Sequence, residues 1–330
     1  MSDKTGIAWT EASWNPVTGC TKVSAGCKHC YAEREWTRLS VNPKASDYFG
    51  RIFTDVQTHA HRLDQPLRWT RPRLIFVNSM SDLFHDRVPD AFIDQVLAVM
   101  MLSPQHTFQV LTKRPERMRG YLADPGLYDR ILEAANNIRR AHPKMRLDEV
   151  PVDNPTTGFA RHIWWGGSAE NQETADERLP VLLETPAAVR WVSLEPLLGP
   201  VDLEKGLGPN PTAKIAWVVC GGESGPGARV FRAEWAREIL RQCRAADVPF
   251  FMKQMGAAFN DGRFTLRLRH RAGADMAEWP EDLRVREYLR VREYPLQMND
   301  PMRRMARLTD GERQEILSNA RIKGRLHVPD

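Results

Sequence analysis

From Leu74 onward, short continuous apolar runs alternate with amphipathic stretches. The apolar runs are LIFVN (74–78), TFQVL (107–111), HIWW (162–165), VRWVSL (189–194), IAWVVC (215–220) and VPFFMK (248–253). Helical periodicity fills the gaps over 90–102, 173–183 and 233–245, with further helical segments from 114 to about 141. Runs that are apolar on both faces and separated by helices predict βα units and a parallel sheet. Upstream, Ile7 to Trp14 carries strand formers and stops at Asn15-Pro16, a turn signal. YAEREWTRLS reads as a helix ending before Asn42-Pro43. The strands then number seven, one short of a closed eight-stranded barrel.

Nearly every predicted strand ends in polar or glycine-rich residues. Ser79, Ser81 and Asp82 follow the first of the regular runs, and Thr112, Lys113 and Arg114 the next. Gly166, Gly167, Ser168, Glu170 and Asn171 come after HIWW, while Ser193 and Glu195 lie at the end of VRWVSL. Cys220, Gly221, Gly222, Glu223 and Ser224 end the fifth run, and Lys253 and Gln254 the last. In an open doubly wound sheet such chemistry gathers at one switch point, whereas a βα barrel brings all strand ends to one mouth. The pattern therefore favours an α/β fold with a partial or near-complete TIM-like (β/α) barrel. Ser168 or Ser224 alone reads as a helix cap. Glu195, between a strand and Pro196, does not.

The barrel is expected over residues 1–256 and an irregular C-terminal extension over 257–330. In the extension, RFTLRLRHR (263–271) reads as an edge strand or basic ribbon, and 309–323 as a terminal helix. LRVREY occurs at 283–288 and again at 289–294. Residues 43–72 form a long polar excursion, with His59 and His61 read as surface or helix-face residues.

Composition narrows the setting. The 330 residues are 42% hydrophobic and 27% charged, with a formal charge of +5 and a pI near 9.0. No apolar run is long enough to span a membrane, and the N-terminus lacks the apolar core of a signal peptide. A cytoplasmic protein with no membrane partner is expected. The modest basic excess is compatible with a nucleic-acid partner, though nearby acids balance most of it.

The densest chemistry lies in GCTKVSAGCKHCYAE, where Cys20, Cys27 and Cys30 are spaced C-x6-C-x2-C. The other two cysteines, Cys220 and Cys243, stand alone. Three thiols this close in a reducing compartment point to a metal site rather than disulfides. Structural zinc is closed by four protein ligands, so a set of three suggests a position left open. Spacing alone leaves two readings level: a 4Fe–4S cluster, or zinc with His29 or a distant residue as fourth ligand. Against zinc, His29 adjoins Cys30, which strains two ligands on one tetrahedral ion.

A cysteine loop after the first strand, with βα units behind it, resembles a radical S-adenosylmethionine (SAM) enzyme. More closely, GCTKVSAGCKHCYAE, NSMSDLFHD, FQVLTKRPERM, WWGGSAEN, RWVSLEPLLGP, WVVCGGESGPGARV and DMAEWPEDLRVREYP resemble the phage-associated three-Cys-motif family. The likeness covers roughly 5–295. It implies a 4Fe–4S cluster on Cys20, Cys27 and Cys30 and SAM as cosubstrate, cleaved reductively to a 5′-deoxyadenosyl radical that abstracts hydrogen. Spacing departs from the usual C-x3-C-x2-C, and His29 stands where an aromatic residue commonly packs near adenine.

The resemblance further implies Ser81 and Asp82 at the SAM ammonium, and Lys113 or Arg114 at its carboxylate. Ser168, Glu170 and Asn171 would hold the ribose. Glu195, Glu223 and Lys253 would face substrate, a nucleic acid or nucleotide being the candidate. By similarity to spore photoproduct lyases, Cys220 is a candidate hydrogen-atom donor, against the alternative of a buried core thiol. Expected partners are an electron donor such as flavodoxin or ferredoxin, a three-Cys-motif partner protein, and nucleic acid. The competing class is a zinc-stabilised nucleic-acid-binding protein without catalysis.

Overall fold

The computed structural model describes residues 5–143, 145, 147, 160–208, 214–266 and 268–289. Seven strands form one sheet in sequence order: β1 (Ala12–Trp14), β2 (Leu74–Val77), β3 (Thr107–Thr112), β4 (Ile163–Ser168), β5 (Val189–Leu194), β6 (Trp217–Gly221) and β7 (Phe250–Gln254). Every neighbouring pair is parallel. Among the described residues β1 does not pair with β7, so the sheet is a half-barrel open along one side. Six helices accompany it: α1 (Tyr31–Leu39), α2 (Asp90–Met101), α3 (Pro115–Leu122), α4 (Leu127–Ala141), α5 (Gln172–Glu184) and α6 (Ala233–Ala245).

Side chains alternate across the sheet, and the two faces are filled differently. Outward go Ile75, Val77, Phe108, Val110, Ile163, Val192, Leu194, Val218, Phe250 and Met252, into one apolar layer with α2 and α6. Inward go Phe76, Trp164, Trp191, Trp217, Val219 and Phe251, joined by Trp9 from the N-terminal segment. The inner tryptophans touch edge-on or tilted, with ring centroids 5.2 Å apart for Trp9–Trp191, 5.5 Å for Trp191–Trp217 and 5.8 Å for Trp164–Trp217. Gly166 makes room for them, since a Cβ there would lie 2.5 Å from the Trp191 ring. The lower barrel is therefore solid aromatic packing. Only the end towards the strand C-termini is left for chemistry.

The first LRVREY copy lies along the open side. Met252 N donates to Val285 O (2.8 Å), Glu287 N donates to Phe250 O (2.9 Å), and Phe251 and Arg286 form an antiparallel bridge. Tyr288 packs beside Trp217, and its hydroxyl donates to Ala8 O at 3.2 Å, reaching the N-terminal segment. The duplicated hexapeptide is thus neither hairpin nor helix in its first copy, but a strip along β7. Its second copy from 290 onward, and the helix expected over 309–323, lie outside the described residues.

Of the edge strand or basic ribbon expected over 263–271, Thr265–Leu266 is an exposed edge strand antiparallel to Phe259–Asn260. The polar excursion after α1 returns as Gln57–Thr58, paired antiparallel with Val17–Thr18 just before Cys20.

Candidate active site at the strand ends

The cysteine loop is held at both ends and in the middle. Gly19 has φ +87, and a Cβ there would strike Asp55 O at 2.4 Å, so the turn into Cys20 requires glycine. Gly19 N donates to Met80 O (3.1 Å) and Cys20 N to Phe53 O (2.9 Å). Cys27 ends a single 3-10 turn over Ala25–Cys27, and Cys30 is the N-cap of α1. In the middle, Gly26 N donates to Glu170 Oε1 at 2.9 Å, across the barrel mouth from β4. Glu170 has no solvent exposure, and its other oxygen receives Arg178 Nη1 at 3.3 Å. The same guanidinium donates to Ser168 O (2.8 Å). A buried carboxylate on a buried arginine thus fixes the loop.

All three thiols line one cavity of about 260 Å³. The opposing lining comes from the strand ends: Ser81, Asp82, Lys113, Arg114, Ser168, Glu195, Glu223 and Lys253, with His29 from the loop. Trp9, Phe76 and Leu111 supply apolar surface. Twelve of the fifteen sequence-predicted site residues therefore meet in one place.

Asp82 organises the wall beside Cys20. It accepts from Thr112 Oγ1 (2.8 Å), Phe84 N (3.0 Å), Lys113 N (3.1 Å) and Arg114 Nη1 (3.1 Å). Arg114 Nη1 also lies 3.9 Å from Cys20 Sγ, and its Nη2 donates to Thr21 O (3.3 Å) and Thr21 Oγ1 (3.1 Å). Lys113 Nζ turns inward to Ser168 Oγ at 2.8 Å. Burial and the charge of Asp82 push the Cys20 thiol up to about 11, against the opposing charge of Arg114.

The far wall holds two charged pairs. Lys253 Nζ lies 3.0 Å from Glu195 Oε1, and Ser193 Oγ donates to Glu195 Oε2 at 3.4 Å. Glu195 precedes Pro196 through a cis peptide, and a Cβ on Gly221 would lie 2.6 Å from its Oε1. Glu223 accepts from Arg229 N (2.9 Å) and Nε (3.0 Å). Burial works against ionisation of Glu223, but the Arg229 hydrogen bonds outweigh it and hold the carboxyl below its usual range.

Three predicted residues do not line the cavity. Cys220 is fully buried and faces outward with Val218 and Cys243, because it shares parity with Val218 rather than with Trp217 and Val219. It is a core thiol, not a group at the mouth. Asn171 is the N-cap of α5, its Oδ1 receiving Thr174 N at 3.0 Å in a reciprocal capping box. Glu170 is spent on the cysteine loop and Arg178, as above. Neither is free to hold a ribose.

Sequence reasoning missed Arg178, Arg229, Thr21 and Tyr31. Tyr31 OH donates to Ser79 O, tying α1 to the end of β2. Nothing local marks an arginine on a helix as the partner of a glutamate eight residues away, since the meeting depends on the βα turn between them.

The ligand atoms of the three thiols and His29 do not gather within 4.8 Å of one another. Among the described residues the trio that does is Asp47, His59 and His61. A tetrahedral zinc–thiolate site holds its sulfurs about 3.7 Å apart. The three thiols here are not all gathered that closely. Three thiols lining one cavity are a donor set that a 4Fe–4S cluster can take while one iron keeps an open position.

No curated protein matches this chain. Among solved structures, a cysteine-to-serine variant of spore photoproduct lyase is similar, at TM-score 0.36 and 12% identity, over 77% of this chain and 58% of that one. This chain thus spans little more than half the length of that protein. Among the described residues no helix is long and apolar enough to cross a membrane. By a match over residues 4–315, the chain belongs to the family described as protein of unknown function (DUF5131).

Proposed function

We propose that this chain is a radical SAM enzyme, with a 4Fe–4S cluster on Cys20, Cys27 and Cys30, and that its phage-associated three-Cys-motif resemblance reflects common chemistry. One observation carries the reading: three thiols share a cavity with the polar ends of six parallel strands. Three thiolates on four irons leave one iron for an external ligand. When bound there, the reduced cluster supplies one electron to the sulfonium of SAM, releasing methionine and a carbon radical that takes a hydrogen atom from substrate.

The chain's own residues orient and exclude. Arg114, 3.9 Å from Cys20 Sγ, offsets thiolate charge next to the loop. Lys113, braced on Ser168 at 2.8 Å, presents an ammonium for the SAM carboxylate. Asp82 acts on SAM indirectly in this reading. With its oxygens already receiving four donors, it positions Lys113 and Arg114 rather than meeting the ammonium. Trp9, Phe76 and Leu111 keep water from the apolar side. The Glu195–Lys253 pair faces the remaining space, and a substrate with both donors and acceptors, such as a nucleobase, suits it. An electron donor of the flavodoxin or ferredoxin kind completes the cytoplasmic system.

Anaerobic reconstitution with iron and sulfide tests the reading. The expected result is a brown protein with cluster absorption that converts SAM to 5′-deoxyadenosine on reduction. Stoichiometric zinc without labile sulfide in anaerobically purified protein would return the chain to the zinc-stabilised nucleic-acid-binding class.

A further inference from the structure

Behind the cysteine loop, the polar excursion folds back on the end of β1 and gathers Asp47, His59 and His61. Their ligating atoms all lie within 4.8 Å of one another. His59 Nδ1 is 3.6 Å from Asp47 Oδ1, and His61 Nε2 is 3.2 Å from Asp47 Oδ2. A tetrahedral ion bound at about 2.0–2.2 Å to nitrogen and oxygen separates its ligand atoms by about 3.4 Å. Each histidine lies near that separation from one oxygen of the carboxylate, His59 from Oδ1 and His61 from Oδ2.

The arrangement is also braced as a metal site requires. His59 is buried, and its second ring nitrogen, Nε2, meets Thr18 Oγ1 at 2.8 Å, leaving Nδ1 turned to Asp47. An outer partner of this kind is the usual device for aiming a ligating imidazole. The backbone is pinned too: His59 N donates to Pro16 O (2.7 Å) and Trp14 Nε1 to Arg62 O (2.7 Å). His61, 63% exposed, leaves the fourth direction open to water. Arg62 also bonds Asp47, and its charge opposes a second cation. It favours an ion with intrinsic affinity for imidazole over one bound by charge alone.

We propose that Asp47, His59 and His61 form a second metal site, for a transition-metal dication of the zinc type, separate from the cysteine loop. Its place gives it a structural role. Thr18 stands two residues before Cys20, and the excursion also carries Phe53, which lines the cavity and accepts from Cys20 N at 2.9 Å. An ion on this site would fasten the excursion to the Cys20 arm. The inference does not rest on the radical SAM reading.

The test uses the full chain with Cys20, Cys27 and Cys30 changed to Ser, so that thiols contribute nothing. Cobalt(II) is titrated as the probe, then displaced by zinc. The expected result is one equivalent bound, with visible bands of a tetrahedral nitrogen–oxygen site and no thiolate charge-transfer band. His61→Ala, at an exposed position, should weaken binding at least about tenfold with the circular dichroism spectrum unchanged. Asp47→Asn should do the same. Absence of cobalt binding, or parent-like binding in His61→Ala, would overturn the proposal.

Discussion

The two walls of the cavity are built on opposite principles. On the cysteine side, the carboxylates are committed to the protein: Glu170 to Gly26 and Arg178, and Asp82 to four donors around Arg114. On the far side, Glu195 and Lys253 meet each other near the cavity with side-chain exposures of only 13% and 20%. Their remaining hydrogen-bonding capacity faces the interior space. The difference separates scaffold from reagent. Buried charges that hold backbone are expensive to disturb, whereas a partly wet pair can exchange partners with a ligand at little cost.

The sharpest test of the contrast removes a thiol. Cys20→Ala, Cys27→Ala or Cys30→Ala should each abolish cluster binding, read as loss of labile sulfide and visible absorption, while the apo chain stays folded. Retention of a full cluster by any one of them would break the assignment of that wall.

Next in size is Glu170→Ala. It strands the Arg178 charge and leaves Gly26 N unpaired, so unfolding by urea should lose about 3–5 kcal/mol. A loss under about 1 kcal/mol would mean that the cysteine loop does not lean on β4.

Lys253→Met should behave in the opposite way. Stability should fall by less than in Glu170→Ala, because this pair borders the cavity and is partly exposed whereas Glu170 and Arg178 are not, and SAM cleavage without substrate should persist. Turnover of the true substrate should fall by orders of magnitude. If stability instead drops as far as in Glu170→Ala, the far wall is scaffold as well.

Cys220→Ala sharpens the comparison from outside the cavity. Facing the helices, it should cost about 1 kcal/mol for the lost sulfur and leave product identity untouched. A changed product distribution would put the thiol back among the reacting groups.

The smallest effect is with pH. Because Arg229 holds Glu223 below its usual range, that pair's contribution is present above the unfolded carboxyl value of about 4.3. It is lost as pH falls through the lower folded value. Glu223→Gln should flatten the acid limb of the stability profile slightly, a change visible in thermal melts between about pH 3 and 5.

Much of this organisation can be read along the chain. Apolar runs bounded by helices specify parallel strands, because only strands buried on both faces are apolar throughout. The sequence order of the strands follows from successive βα units that lay each strand beside the one before it. Polar residues just past each run then share a mouth, so Ser81, Asp82, Lys113, Arg114, Ser168, Glu195, Glu223 and Lys253 could be gathered without coordinates. Parity along WVVCG would also have placed Cys220 outward, since alternation alone puts it opposite Trp217 and Val219. Its position beside Gly221-Gly222-Glu223 suggested the mouth, but proximity along a strand is not a shared face.

What the sequence by itself determined is therefore the repeating part: strand and helix identity, strand order, and the common end where chemistry collects. Tertiary structure alone decided how each polar group is used. Glu170 and Glu195 both follow a strand at similar distance. One is consumed by an amide 144 residues away, while the other faces the cavity opposite a lysine 58 residues away. Local periodicity reports which face a side chain takes. It carries no information about a partner delivered by a distant loop, and burial with or without such a partner separates a structural charge from a working one.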